Sequence, residues 1–163
     1  TGVQTCALPI YAYDTEVNDQ FGRSVAISGD RAIVSADEDD AGGSASGKAY
    51  IFNVTTGALV HTLDNPSAYG TSYTDQFGES VAISGNLAIV GALQEDDAGA
   101  SNSGKAYIFS VLTGELIYTL DNPASIGPEY DEFGEVAIDG NSVIVGAYAR
   151  GLDSGAVYIY KRV

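Results

Sequence analysis

Two acidic segments offer the densest grouping of side chains that could do chemistry. One is the run Asp-Glu-Asp-Asp at 37–40, and the other is Glu-Asp-Asp at 95–97. Several carboxylate oxygens on a flexible loop are what a hard cation such as calcium requires, so both segments suggest a calcium site. The candidate ligands are Asp37, Asp39, Asp40, Glu95, Asp96 and Asp97. Their spacing matches no known calcium motif, so a solvated acidic rim is the favoured interpretation.

A second set of residues could hold a sugar or a peptide. Aromatic faces and side-chain amides often supply such contacts, and the segments after residues 64 and 121 contain both. The candidates are Tyr69, Tyr73, Tyr130, Asn65 and Asn122, with Ser67 nearby. Packing of the tyrosines against the protein itself is the competing interpretation, and it is the favoured one.

Residues suited to catalysis are sparse. His61 is the only histidine, and Tyr118 takes its place in the next copy of the repeat described below, which argues against a general base. Asp19, Asp75 and Asp131 recur at equivalent positions, and a short acid before a turn is expected to accept backbone amides there. No nucleophile–base pair, phosphate loop or metal triad stands out in the sequence, so we predict that the chain is not an enzyme.

Composition narrows the range of partners. The chain has 163 residues, of which 45% are hydrophobic, and it carries a net charge of −15 from 22 acidic and 7 basic residues. Such a charge repels phosphate backbones and anionic lipids, so nucleic acid and membranes are not expected partners. No apolar run is long enough to insert in a bilayer. Cations, proteins and neutral polar ligands remain as expected partners.

The first ten residues differ from all that follows. Residues 1–10 (TGVQTCALPI) resemble a translated sequencing adapter, and we expect them to be a non-native leader outside the fold. Cys6, the only cysteine, lies in this segment and therefore says nothing about the redox compartment.

The remainder is organised by a repeat. Phe-Gly recurs at intervals of 56 residues, each time two residues after an aspartate. The repeated positions are Asp19, Phe21, Gly22, Asp75, Phe77, Gly78, Asp131, Phe133 and Gly134. Runs rich in valine, isoleucine and tyrosine, bounded by glycine and asparagine, predict four strands in the first copy, at 24–28, 31–36, 48–54 and 58–63. Short turns between them predict consecutive antiparallel strands.

These motifs carry a resemblance to a known family. Phe-Gly at the repeat start, followed by Gly-Ala at the end of the second strand (Gly91-Ala92 and Gly146-Ala147, with Ser35-Ala36 as a weaker copy), resembles the FG-GAP repeat of integrin α-subunit propellers and of surface proteins. The resemblance implies an all-β fold, a partial β-propeller of about three four-stranded antiparallel blades. The calcium loop that such repeats often insert between the first two strands is absent here, so that site does not carry over.

The expected domain is 11–163, with repeats at about 19–74, 75–130 and 131–163. The last copy ends after its third strand, and propellers close with four to eight blades, so we expect additional blades in the intact protein. Either Val163 is the natural end and a strand from elsewhere completes this blade, or the copy is truncated.

Three functions stay open. The first is a non-catalytic extracellular or virion-surface adhesion module that presents acidic, tyrosine-containing loops to a protein or glycan, with calcium as the one cofactor to test. The loops at 37–47, 64–76, 93–104 and 121–132 all fall on one face, which favours binding there. The second is a fragment of a carbohydrate-active enzyme whose catalytic blades are missing. The third is a structural spacer, favoured by the near identity of the first two copies.

Overall fold

The computed structural model describes residues 9–11, 16–68, 74–96, 101–123, 130–150 and 154–161. The strands among them pair only in antiparallel sheets, as predicted. They are β1 (Val25–Ser28), β2 (Arg31–Ala36), β3 (Lys48–Asn53), β4 (Leu59–Asp64), β5 (Phe77–Ser84), β6 (Leu87–Ala92), β7 (Lys105–Ser110), β8 (Leu116–Asp121), β9 (Phe133–Asp139), β10 (Ser142–Ala147) and β11 (Ala156–Lys161). The bounds in the first copy agree closely with those predicted from sequence.

Each repeat forms one sheet whose strands follow chain order. Blade 1 contains β1 to β4, blade 2 contains β5 to β8, and blade 3 contains β9 to β11. Tight turns join the first two strands of each blade, and Gly29 and Gly85 adopt the left-handed backbone that such turns require. The arrangement is a partial β-propeller with sheets of four, four and three strands, which confirms the fold predicted from the repeat.

The hydrophobic core lies between successive blades. We call the side of a blade that faces the preceding blade its front face, and the side that faces the following blade its rear face. Ile33 and Ile51 on the rear face of blade 1 share a cluster with Phe77 and Val81 on the front face of blade 2. A second cluster joins blades 2 and 3 in the same way. Burial of these apolar faces is therefore what holds the blades together.

Glycine permits the blades to approach closely. A Cβ atom added to Gly91 in blade 2 would lie 1.8 Å from the carbonyl oxygen of Gly134 in blade 3. A Cβ added to Gly78 in blade 2 would lie 2.7 Å from Cβ of Ser35 in blade 1, and Gly78 also has a φ of +103°. A side chain at Gly78 or Gly91 would therefore force blade 2 away from its neighbour. The position equivalent to Gly91 in blade 1 is Ser35, and its side chain is accommodated opposite Gly78.

Backbone hydrogen bonds tie each Phe-Gly segment to the blade before it. The amide of Phe77 donates to the carbonyl of Ser46 at 3.2 Å, and the amide of Phe133 donates to the carbonyl of Ser103 at 3.1 Å. Both acceptors lie in the loop between the second and third strands of the preceding blade. That loop therefore has a structural role that repeats along the chain.

Serine hydroxyls connect the first strands of successive blades. Ser24 Oγ accepts the amide of Val81 at 3.1 Å, and Ser80 Oγ accepts the amide of Val136 at 3.0 Å. The two links are equivalent in the repeat. These directional bonds fix the register of one blade against the next, whereas apolar packing alone would allow the blades to slide.

The repeated phenylalanines lie at the boundaries between blades. Phe77 and Phe133 are fully buried, and the ring of Phe77 lies 5.7 Å from that of Tyr107. Phe21, which precedes β1, is half-buried and packs edge-on against Tyr50. Its front side has no preceding blade among the described residues.

The predicted leader at 1–10 lies mostly outside the described residues. Ile10, at its end, packs against the small cluster on the front face of blade 1. Within the described part of the chain, no helix is long and apolar enough to cross a membrane.

We predict that Ser80→Ala lowers the free energy of unfolding by about 1–3 kcal/mol, because the buried amide of Val136 loses its acceptor. Chemical denaturation of the full chain measures this. Ser84→Ala is the matched control, since Ser84 Oγ accepts the exposed amide of Gly140, where water can replace it. An equal loss of unfolding free energy in the two variants would contradict the role given to the Ser80 hydroxyl.

Candidate functional site

The acidic loops between the second and third strands are folded back onto their own blades. Asp39 lies 3.5 Å from the ammonium of Lys48 and accepts a hydrogen bond from the hydroxyl of Tyr50 at 3.4 Å. The equivalent carboxylate, Glu95, lies 3.2 Å from the ammonium of Lys105. The first two repeats thus each pair a buried acid with a lysine of the third strand, and these pairs anchor the loops.

Tyr107 completes the second of these groups. Its hydroxyl donates to the carboxylate of Glu95 and contacts the hydroxyl of Ser67 in blade 1 at 2.9 Å. Burial, together with the adjacent charge of Glu95, raises the pKa of Tyr107 well above its ordinary value. Tyr107 therefore remains a neutral donor, and it links the loops of two blades.

The neighbouring acids cap the backbone of the same loops. Asp40 Oδ1 accepts the amide of Ala45 at 2.7 Å, and Asp96 Oδ1 accepts the amide of Asn102 at 2.8 Å. These contacts hold the turns that present carbonyl groups to the next blade. The sequence predicts solvated rims or cation ligands in these loops, whereas the structure shows this internal role.

The proposed calcium ligands are not brought together as a metal centre in the described part of the chain. No group of three or more His, Cys, Asp or Glu residues is arranged there to hold a metal ion. Asp39, Asp40, Glu95 and Asp96 each contact a donor of the protein itself. Asp97 lies outside the described residues.

The two asparagines proposed as ligand contacts are buried and bind the protein. The amide of Asn65 donates to Asp75 at 2.9 Å and to the carbonyl of Ser46 at 3.3 Å. Asn122 makes the equivalent bonds to Asp131 and to Ser103. Both asparagines therefore join the end of one blade to the start of the next, and their amide donors are used inside the protein.

The same bonds reveal partners of the repeated aspartates. Asp75 and Asp131 accept side-chain amides, whereas the sequence predicted backbone donors from the turn. Asp19 does accept a backbone amide, from Glu16. All three aspartates thus contact nearby segments of the protein, as a local structural role would require, but these partners could not be predicted from the motif.

Of the three proposed tyrosines, only Tyr130 lies among the described residues. Its side chain is 58% exposed, so it is available to a ligand. Tyr69 and Tyr73 lie outside the described residues. His61 contacts the backbone carbonyl of Leu112 at 3.2 Å, which places it between blades 1 and 2.

A charged cluster that the sequence did not predict lies at the start of the inner strands. Strands β1, β5 and β9 contact one another in succession, which places them innermost. The guanidinium of Arg23, just before β1, forms two ion pairs. Its Nε lies 3.5 Å from Oδ2 of Asp37, and its Nη2 lies 3.0 Å from Oε1 of Glu79. Ser80 donates to Glu135 at 3.3 Å in the next blade. We call Arg23, Asp37, Glu79 and Glu135 the inner-strand cluster.

Negative charge exceeds positive charge in this cluster. Asp37 is buried, and among the described residues its Oδ1 has no hydrogen-bond donor. Burial raises the pKa of Asp37 above its ordinary value. Burial also raises the pKa of Glu79, with Asp37, Glu132 and Glu135 adding to the effect and Arg23 opposing it. The cluster thus has three carboxylates and one guanidinium, which contacts two of them.

Tyr148 extends the cluster toward solvent. Its hydroxyl donates to Glu132, and this hydrogen bond, with some burial, raises the pKa of Tyr148 to about 12. The side chain is 56% exposed. An exposed aromatic ring beside several acids is a suitable surface for a cationic group.

The signal for this cluster is a difference between repeats. The position of Arg23 after Phe-Gly is occupied by Glu79 in the second copy, and the position of Asp37 is occupied by Leu93 and then Tyr148. Positions that are identical in all copies identify the scaffold. Positions at which the copies differ are the signal that could have identified these residues.

We predict that the protein is more stable at pH 5 than at pH 7.5. Burial, followed by the charge of Glu95, raises the pKa of Asp75 to about 6, so the folded state binds this proton more tightly than the unfolded state. The resulting stabilisation is present at low pH and is lost as pH rises through about 6. Asp37 and Glu79 shift in the same direction.

Thermal unfolding at the two pH values measures this effect. Asp75→Asn should reduce the difference in unfolding midpoint between pH 5 and pH 7.5. The reduction should be about 2–4 °C for each kcal/mol of pH-dependent stability that is lost. Asp139→Asn removes a charge at an exposed position and should leave the difference unchanged. A protein that is less stable at pH 5, or a difference that survives Asp75→Asn in full, would contradict the assignment.

Comparisons with known proteins bear on the family of this chain. One solved structure that it resembles is the computationally designed Ika8 protein, with 17% identity over 87% of this chain and a TM-score of 0.39; the chain spans 46% of that protein. A search of curated proteins found no match. The family model described as FG-GAP repeat matches residues 9–52, 67–109 and 124–160, which is more than half of the chain. The chain therefore belongs to the FG-GAP repeat family.

Proposed function

We propose that this chain is a non-catalytic recognition module of an extracellular, cell-surface or virion-surface protein. Its binding surface is the end of the propeller that carries the inner-strand cluster. The observation that supports this most directly is that Arg23, Asp37 and Glu79, which all break the repeat, are joined by ion pairs. A structural spacer has no need of such a difference.

The two ends of the propeller differ in their loops. Turns at one end are short, as at Gly29 and Gly85. The loops at the other end include 37–47, which lies beside the start of β5 because Ser46 binds the amide of Phe77. Long loops on a rigid scaffold are a common location for binding sites.

The chemistry of this end suits a basic partner. Asp37, Glu79 and Glu135 outnumber the single guanidinium of Arg23, and the exposed rings of tyrosines 130 and 148 can pack on an aliphatic stem. Arginine binds carboxylates through paired hydrogen bonds and stacks on aromatic rings. The net charge of −15 also attracts a basic partner over a distance. We therefore propose a protein with exposed arginine or lysine as the partner.

The test uses the full chain and a fluorescent peptide of alternating arginine and glycine, measured by anisotropy at near-physiological salt. We expect saturable binding that weakens at least about tenfold in Asp37→Asn/Glu79→Gln/Glu135→Gln, a loss of about 1.4 kcal/mol or more. A glutamate–glycine peptide should not bind. Millimolar calcium is added in a separate arm, because a cation held by the cluster would compete with the peptide.

The matched control removes three charges at the opposite end, with Asp30→Asn/Glu115→Gln/Asp139→Asn. This variant should bind the peptide like the original chain. Equal weakening in both triple variants would show that only net charge matters, and absence of binding would overturn the basic-partner proposal. Binding of a neutral glycan in place of the peptide would direct the search to sugars.

A further inference from the structure

The inner-strand cluster already holds a guanidinium, which the chain itself supplies. The Nε atom of Arg23 faces the carboxylate of Asp37 in the same blade, and Nη2 donates to Glu79 in blade 2. Two nitrogen atoms of one planar group therefore reach carboxylates of two blades. An ammonium offers a single nitrogen, so lysine would fit this pair of acids less well than arginine.

Asp37 forms the buried side of this pair of acids, and Arg23 satisfies it only in part. The Asp37 side chain is 2% exposed, and among the described residues its Oδ1 has no hydrogen-bond donor. Its Oδ2 lies 3.5 Å from Nε of Arg23, which is longer than the roughly 2.7–2.9 Å of a strong charge-assisted hydrogen bond. A guanidinium that donates two parallel hydrogen bonds to this carboxylate would therefore bind it better than Arg23 does.

Arg23 is the exposed member of these ion pairs. Its side chain is 44% exposed, whereas that of Glu79 is 23% exposed. Arg23 also precedes β1, in a turn where its amide donates to the carbonyl of Gln20. Its long side chain can thus turn outward without breaking a bond of the sheet, and this movement would open the buried oxygens of Asp37 to a ligand.

The scaffold itself does not require an ion pair at this place. In blade 2 the positions of Arg23 and Asp37 are taken by Glu79 and Leu93. Leu93 is 2% exposed, so an apolar side chain fills the position of Asp37 without a partner charge. A buried acid costs more free energy on folding than a buried leucine, and its presence in blade 1 therefore points to a use beyond packing.

We propose that Asp37 and Glu79 form a guanidinium-binding subsite, which Arg23 occupies until an arginine of the partner displaces it. This inference rests on the proposed function and narrows the partner to a protein with an exposed arginine. Arg23 acts as a tethered competitor, so only a guanidinium that gains more from the two carboxylates than Arg23 does can bind. A lysine lacks the second nitrogen that this gain requires.

The first test measures peptide binding to the full chain by anisotropy, with arginine–glycine and lysine–glycine peptides of equal length. The original chain should prefer the arginine peptide. Arg23→Lys keeps the net charge but weakens the internal competitor, so it should bind the arginine peptide at least about threefold more tightly than the original chain. Arg31→Lys is the matched control, because Arg31 pairs with the exposed Asp30 at the opposite end, and it should leave the affinity unchanged.

The second test needs no peptide. Arg23→Ala empties the subsite, and millimolar methylguanidinium should then raise the unfolding midpoint of this variant by about 2 °C or more, because the ligand binds only the folded state. Methylammonium at the same concentration should have no such effect. The original chain should not respond, since tethered Arg23 has a high effective concentration. Arg23→Ala/Asp37→Asn, which lacks the buried charge, should not respond either.

The two tests distinguish failure of the subsite from failure of the proposed function. If the original chain binds the arginine peptide but Arg23→Lys binds it no more tightly, the displacement is wrong and the proposed function stands. If methylguanidinium stabilises Arg23→Ala but no variant binds a peptide, the proposed function is wrong and the subsite alone stands. If methylguanidinium leaves the midpoint of Arg23→Ala unchanged, or raises that of the double variant equally, the subsite itself is contradicted.

Discussion

The Phe-Gly backbone of blade 2, and likewise that of blade 3, lies so close to the backbone of the preceding blade that no room is left for a single side-chain carbon. Gly91 and Gly134 make this contact between blades 2 and 3. Because the sheets are so close, Phe133 reaches the loop carbonyl of Ser103, and Val136 reaches the hydroxyl of Ser80. The core, the loop positions and the alignment of the inner strands all depend on this approach.

The acidic loops are part of the same arrangement. Asp39 and Glu95 hold their loops through lysine, and those loops supply the carbonyl groups that bind the next blade. Their charge is thus used for folding. The proposed recognition surface depends instead on Arg23, Asp37 and Glu79, which differ between copies and lie near the start of the innermost strands.

Much of the fold could be predicted from the sequence, because the copies are nearly identical and their glycine-bounded runs mark the strands. The roles of single polar residues could not be predicted in this way. The bond from Asn65 to Asp75 crosses a loop, and the pairing of Glu95 with Lys105 depends on how that loop folds back. The cluster at Arg23 could not be predicted from the repeat, because its residues occupy positions where the copies differ.

Hydrogen exchange of the amides of Phe77 and Phe133, in the original chain and in Gly91→Ala, tests the central claim most directly. If close approach of the blades controls the fold, both amides exchange only with global unfolding, and Gly91→Ala accelerates exchange at Phe133 while Phe77 stays protected. Rapid exchange of both amides in the original chain, or unchanged protection of Phe133 in Gly91→Ala, would contradict it.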